Sequence, residues 1–274
     1  MIDPADPERL AALVRRHRIR LRHRLGQNFL ADAGLRDRVA EAAGLGPNDQ
    51  VLEVGAGVGT LTIALAARCR RLLAVEVDPQ LLPALREVVR GHANVEVVHA
   101  DVLKLDLPGL FPEGGQVVAG NIPYQLTGAL MPRLLEPEPR PRRLSLVVQK
   151  EVAERWTRPG GGSLSTVAVH VFAQPHLELV LPAAAFRPPP RVDSALVVLE
   201  VRSRPAVQVD DLGRFFRLVE RVFQERRKQL GGTLGRLTGR PAAEALRELG
   251  IDPRRRPETL DLAEWEGVYR SFGV

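Results

Sequence analysis

The run Gly120-Asn121-Ile122-Pro123-Tyr124 sets a side-chain carbonyl, a backbone carbonyl stiffened by the following proline, and an aromatic ring within four positions. Two adjacent carbonyl acceptors can take both N–H bonds of an exocyclic amine such as adenine's. That amine is a poor nucleophile because its lone pair is delocalised into the ring. Gripping it by Asn121 and Ile122 biases the nitrogen towards sp3, while Tyr124 stacks on the base. Such chemistry needs no metal and no general base of tuned pKa; its gain is positioning and electrostatics. A base must also leave its stack to be reached, so aromatic walls are useful. Aromatic residues make up only 4% of the chain, which makes a tyrosine at this place informative.

A second constellation lies upstream. Gly55, Gly57 and Gly59 occupy the turn after an apolar run at 51–54. Glycine there permits positive φ and close approach of a ligand to backbone, and the following helix offers unpaired N–H groups. Glu76, at the end of the next apolar run, can accept both hydroxyls of a ribose. Asp101 and Val102, in His99-Ala100-Asp101-Val102, can read an adenine through a carboxylate and an N–H. A dinucleotide fold would share the ribose acid. Glu53, two residues before the first glycine, separates the readings: a pyrophosphate gains little from it, whereas a sulfonium ligand with an α-amino group favours it. S-adenosylmethionine (SAM) is therefore the expected cofactor.

These residues need elements to hold them. Val/Leu-rich runs at 51–54, 72–77, 95–99, 117–119, 144–148, 177–181 and 195–201 alternate with helical spacing at 61–67, 81–89 and 126–135, where Pro132 threatens a kink. That is the βαβ rhythm of a largely parallel sheet covered on both faces. With no helix between them, the last two runs are expected to pair antiparallel. The proline-rich 182–190 segment is expected to be a stiff loop. After 205 the character becomes helical, with Phe215, Phe216, Val219 and Val222 on one stripe and Arg214, Arg217, Arg221 and Lys228 opposite. The fold class expected is α/β, a Rossmann-like, mostly parallel seven-stranded sheet over 1–205 with a small all-α domain over 206–274.

Charge supports a polyanionic partner. The chain carries a formal +6, and its basic excess sits at the ends: residues 1–24 hold seven arginines against three acids, and residues 212–274 thirteen bases against nine acids. A neutral body with cationic ends suits a phosphate backbone. Arginine outnumbers lysine 36 to three, which by itself also fits background composition or heat adaptation. The single Cys69 excludes a disulfide framework and a multi-thiolate zinc site. The six histidines show no metal-ligand spacing, so no metal is expected. No apolar stretch reaches a membrane span and no leader is apparent, so a soluble, cytoplasmic protein is expected.

Taken in order, the motifs resemble those of the KsgA/RsmA ribosomal RNA adenine N6-dimethyltransferases, relatives of the Erm methyltransferases. The resemblance runs from residue 19 through Leu25-Gly26-Gln27-Asn28-Phe29-Leu30, the glycine loop, Glu76, Asp101, residues 121–124, Gln149-Lys150-Glu151-Val152-Ala153, residues 186–195 and Arg226-Arg227-Lys228-Gln229-Leu230. It implies that Asn28 and Leu30 border the methionine part of SAM, with Gly55 at its carboxylate end, and that Asn121 touches cofactor and target amine. Tyr124 and Phe186 would form the walls of the target base. Arg221, Arg226, Arg227 and Lys228 would grip RNA, which would lie across the cleft between the domains. The substrate implied is two adjacent adenosines in a hairpin loop near the 3′ end of 16S RNA, each receiving two methyl groups, in an immature 30S subunit bound by a monomer. The Trp156–Ser163 stretch looks short for the family, and Gly231-Gly232-Thr233 replaces a more polar segment.

Other readings differ in discriminating features. An Erm-type enzyme would modify 23S RNA; residues 186–195 and Pro257-Glu258-Thr259-Leu260 favour the housekeeping branch. A non-catalytic ribosome assembly factor would not need Asn121, Tyr124 and Glu76 intact. A nicotinamide oxidoreductase lacks a proton-relay partner. Trp156 and Trp265 read as packing residues. The basic run 15–24 reads equally as an RNA-contacting arm or a solvated face.

Overall fold

In a computed structural model, which describes residues 2–22, 26–158, 160 and 162–273, every apolar run of the first 205 residues becomes a strand of one sheet. The strands are β1 (Phe29–Leu30), β2 (Gln50–Val54), β3 (Arg71–Glu76), β4 (Val95–His99), β5 (Val117–Asn121), β6 (Arg143–Gln149), β7 (Ala173–Leu181), β8 (Phe186–Arg187) and β9 (Ser194–Val201). Helices interleave as α1 (Pro7–Arg16), α2 (Ala33–Ala42), α3 (Thr60–Ala66), α4 (Leu82–Val89), α5 (Leu107–Leu110), α6 (Thr127–Leu135), α7 (Lys150–Thr157) and α8 (Leu164–Phe172). After the sheet come α9 (Leu212–Gln224), α10 (Leu230–Thr238), α11 (Ala243–Glu248) and α12 (Leu262–Phe272).

The seven-stranded sheet has the order β4-β3-β2-β5-β6-β9-β7. β2 pairs in parallel with β3 and β5, β3 with β4, and β5 with β6, whereas β9 runs antiparallel to β6. Chain order reverses between β2 and β5, which puts a crevice at the carboxyl ends of β2, β3, β4 and β5. Leu52, Leu72, Val117, Leu144 and Val197 are all buried, which is why these strands read as unbroken apolar runs and not as alternating ones. β7 and β9 are sheet neighbours.

The chain divides into two compact units, Met1–Glu154 with Pro175–Val201, and Arg155–Gln174 with Arg202–Val274. Helix α8, ahead of the expected boundary at 205/206, groups with the C-terminal helices. The cause is apolar: Phe172 at the end of α8 stacks on Phe216 of α9 with ring centroids 5.5 Å apart. Phe215 meets Tyr269 edge-on at 5.8 Å and Phe223 lies 5.6 Å from Trp265, so the aromatic stripe of α9 builds this unit's core. Asp211 caps α9 by accepting from the Arg214 N–H at 2.8 Å. Trp156 and Trp265 are fully buried, in keeping with packing roles.

Three local features add detail to the expectation. Pro132 lies inside α6 without ending it, and the Glu136 N–H still reaches the Pro132 carbonyl at 2.9 Å. The proline-rich segment is more than a loop. Its Phe186 and Arg187 pair antiparallel with Leu30 and Phe29 as a separate two-stranded ribbon, where proline-flanked residues are tolerated because each strand has a free edge. The basic run also divides. Arg16 and His17 engage Glu87 of α4, and Arg22 lies 3.5 Å from Asp78, while His23 and Arg24 lie outside the described residues.

Gly120 shows how tightly β2 and β5 approach. A Cβ there would stand 2.4 Å from the Val54 carbonyl oxygen, so any side chain must push the strands apart. Gly120→Ala is expected to cost about 2 kcal/mol by overpacking and to lower the melting midpoint by roughly 5 °C. An unchanged midpoint in a thermal scan would contradict this packing.

Candidate active site

The carboxyl ends of β2, β3 and β5 open on a cavity of about 320 Å³ within the first unit. Asn28, Gly55, Gly57, Glu76, Asp101, Val102 and Asn121 all line it, so residues spread over more than ninety positions converge. Leu30 does not line it. It faces a smaller hollow of about 40 Å³ beneath the glycine loop, together with Phe186, Glu53 and Asn121.

The glycine loop is built by strand-end hydrogen bonds. The Gly55 and Ala56 N–H groups donate to the Val75 carbonyl at 2.9 and 3.1 Å, turning the chain sharply after β2. Gly55 and Gly57 take φ of 72° and 61°, which side-chain-bearing residues rarely adopt. Gly59, at φ 93°, opens α3. The Gly57 N–H donates to Glu76 Oε2 at 2.8 Å, and the Asp78 N–H to Oε1 at 2.8 Å, so both oxygens of the expected ribose acceptor are fixed in place. Burial raises the Glu76 carboxyl above its ordinary value despite these N–H donors, and the nearby Asp78 charge adds to the shift. Asp101 caps a short turn by accepting from the Leu103 N–H at 3.0 Å. It thus combines the turn role with a place on the cavity wall.

Asn121 ends β5. Its Nδ2 donates to the Asn28 carbonyl at 2.8 Å, which ties β5 to the segment before β1 and turns the side-chain oxygen the other way. Ile122 is buried, its N–H bonded to the Val147 carbonyl at 2.9 Å, and Pro123 accepts from the Leu126 N–H at 2.8 Å. The turn is therefore rigid on both sides. Tyr124 is half-buried, its hydroxyl 3.0 Å from Ser194 Oγ, and burial raises its phenol pKa. Phe186 departs from the picture of an open wall: its ring is only 1% exposed and packs beneath the surface beside the inner hollow. Arg221 lies on α9 in the second unit, and Arg226, Arg227 and Lys228 follow on the exposed turn after that helix.

Several residues in or behind the cavity wall were not legible beforehand. Gln125 and Leu126 follow the Asn-Ile-Pro-Tyr run directly, and proximity to it was the available signal. Asp78, fully buried, accepts from Gln27 Nε2 at 2.7 Å and so anchors the Gly26–Phe29 segment along the cavity. Only its spacing from Glu76 hinted at this.

Electrostatics narrows the ligand. Among the described residues the cavity is lined by the carboxylates Glu76 and Asp101 and by no arginine, lysine or histidine. Glu53 lies just behind the loop, 1% exposed, with its Oε2 unpartnered. A pyrophosphate would meet two acids with no cation to offset them. A ligand bearing an ammonium and a sulfonium is favoured by the same surroundings.

A profile of the ribosomal RNA adenine dimethylase family matches residues 18–272. The chain belongs to this family. The dimethylase is 43% identical to the ribosomal RNA small subunit methyltransferase A of Pelotomaculum thermopropionicum, over 99% of this chain and 98% of the relative. It is 42% identical to the protein of the same name from Moorella thermoacetica, with 98% of each covered. Among solved structures, the 23S rRNA methyltransferase ErmE superposes with a TM-score of 0.68 at 32% identity, over 89% of this chain and 99% of that one. A dimethyladenosine transferase from Plasmodium falciparum gives 0.69 at 23% identity, over 88% and 97%, a likeness of fold. The dimethylase is a methyltransferase with a Rossmann-like domain, and enzymes of this kind use SAM in general.

Burial pushes the Glu53 carboxyl up to about 8, the charge of Glu76 adding to the effect. The folded chain then holds a proton that the unfolded chain releases above about 4.5, so the stability of the ligand-free dimethylase falls as pH rises from about 4.5 to about 8. Glu53→Gln is expected to flatten that decline in urea unfolding measured across this range. Parallel declines for the two proteins would contradict the buried, proton-bearing carboxyl.

Proposed function

We propose that this dimethylase transfers methyl groups from SAM to the N6 amines of two adjacent adenosines in the 3′-terminal hairpin of small-subunit ribosomal RNA, during assembly of that subunit. The observation that carries the reading is the Asn121 side chain. With Nδ2 committed to the Asn28 carbonyl, Oδ1 is left as the acceptor of a side chain that lines a cavity whose carboxylates suit a cationic donor.

Each residue then has a task. Asn121 Oδ1 and the Ile122 carbonyl accept the two amine hydrogens, drawing the nitrogen lone pair out of conjugation with the purine. The rigid turn through Pro123 holds the two acceptors at a fixed spacing, so little reorganisation accompanies the reaction. Tyr124, pinned through Ser194, offers a ring face for the extruded base. Gly55 and Gly57 admit the amino-acid end of the cofactor close to backbone, Glu53 and Asn28 border it, Glu76 takes the ribose hydroxyls, and Asp101 with Val102 takes the adenine. SAM, when bound, supplies an electrophilic methyl on a sulfonium. The assembly is read as a soluble cytoplasmic monomer acting on an immature small subunit; among the described residues no helix is long and apolar enough to cross a membrane.

The housekeeping substrate is favoured over large-subunit RNA by the small-subunit names of the relatives at 42–43% identity over nearly the whole chain, against 32% for ErmE. A purely structural assembly role would leave the carboxylate-lined cavity without a use.

Asn121→Ala tests the assignment. Methyl transfer from labelled SAM to under-methylated small subunits is expected to fall by about two to three orders of magnitude, as when a preorganised polar contact to the reacting group is lost. SAM affinity should stay within about tenfold, roughly 1.4 kcal/mol. Equal losses of binding and transfer would show that Asn121 serves the cofactor and not the amine.

A further inference from the structure

The cationic face of α9 is not uniform. Lys228, expected on the same face, lies beyond the helix and pairs with Glu225 at 3.3 Å, and Arg236 engages the same carboxylate. Arg254 pairs with Asp252 at 3.0 Å, and Arg270 with Glu266. Much of this unit's positive charge is thus neutralised within it. Arg214, Arg217 and Arg221 differ. At spacings of three and four they fall on one side of the helix and line a hollow of about 70 Å³ whose apolar walls are Leu218, Leu237 and Phe272. Arg214 keeps a 3.6 Å contact with Asp211, but among the described residues no carboxylate pairs with Arg217 or Arg221, and none lines the hollow. A fourth guanidinium, Arg240, lies 6.0 Å from the centroid of the Phe272 ring.

Three arginines line one dent, two of them with no carboxylate partner among the described residues, and an anion seated among them would offset their mutual repulsion. A carboxylate has two coplanar oxygens and serves two forks. A phosphate presents oxygens tetrahedrally and can accept from three. The hollow offers little to a base edge: Thr238 is its only neutral polar side chain, and its hydroxyl already donates to the Leu234 carbonyl at 2.8 Å. Contacts of this kind position a backbone and do not read sequence. We propose that the Arg214–Arg217–Arg221 hollow is a binding site for one internucleotide phosphate of the RNA substrate, distinct from the Arg226–Lys228 turn. This rests on the reading of the chain as an RNA methyltransferase.

The test uses the full-length protein and a transcribed small-subunit RNA fragment carrying the 3′-terminal hairpin, with binding measured without SAM over a salt series. Arg217→Gln/Arg221→Gln is expected to weaken binding about tenfold and to reduce the slope of log K against log salt by about one. Arg217→Lys/Arg221→Lys, which keeps the charge and loses the forks, should restore the slope but only part of the affinity. Arg254→Gln, removing a cation of the same unit away from the hollow, should change neither. Melting midpoints of all variants should match the parent. An unchanged slope in the double Gln variant, or an equal loss in Arg254→Gln, overturns the site. So does normal RNA binding with lost binding to under-methylated small subunits, which would assign the hollow to an acidic protein surface. Because no methyl transfer is read, an RNA-binding protein that fails to methylate would sink the functional reading and leave the hollow standing.

Discussion

The hydrogen bond from Asn121 Nδ2 to the Asn28 carbonyl links chain segments 93 positions apart, and the orientation of the Asn121 side chain depends on it. At one end it fixes the rotamer of the residue at the tip of β5, and with it the direction of the side-chain oxygen. At the other it holds the segment that enters β1, which pairs with β8 and so places Phe186 beside the inner hollow. Asp78 grips the same segment through Gln27. Two polar anchors on one short stretch of backbone give the cavity a preformed wall. Preformation matters here because the chemistry proposed draws its rate from fixed acceptors and not from proton transfer.

The second constraint is electrostatic. Glu76 and Asp101 line the cavity with no cation among its described lining residues, and Glu53 behind the loop resists ionisation because it is buried. In the ligand-free protein this is a local cost to stability. Near a cationic ligand the same carboxyl becomes an attraction, so the arrangement selects for positive charge and against phosphate. The second unit inverts this logic, with guanidinium groups around a hollow that no carboxylate lines. One unit is thus chemically suited to a cationic cofactor and the other to a polyanion.

Much of this was legible in the sequence for physical reasons. Strands buried on both faces read as continuous Val/Leu runs, and the glycine loop announced itself because Gly55 and Gly57 need positive φ. Residues at strand ends, such as Glu76, Asp101 and Asn121, converge because a parallel sheet brings all its carboxyl ends to one edge. What stayed hidden depends on contacts between distant segments. The β1–β8 ribbon pairs two dipeptides too short to carry a periodic signal. Asp78 carries no motif of its own, and its role depends on Gln27, 51 positions away in the chain. Helix α8 preceded the expected boundary, yet joins the C-terminal unit because Phe172 finds Phe216. Ion pairing split the cationic face of α9, which spacing alone had shown as uniform.

Under the proposed function these two chemistries serve one reaction on one RNA. That function is tested most directly by incubating the protein with methyl-labelled SAM and under-methylated small subunits, with large-subunit RNA in parallel, and mapping the modified nucleosides. N6,N6-Dimethyladenosine is expected at two adjacent positions of the 3′-terminal hairpin and none in large-subunit RNA. Label confined to large-subunit RNA, or found on any atom other than adenine N6, would contradict it.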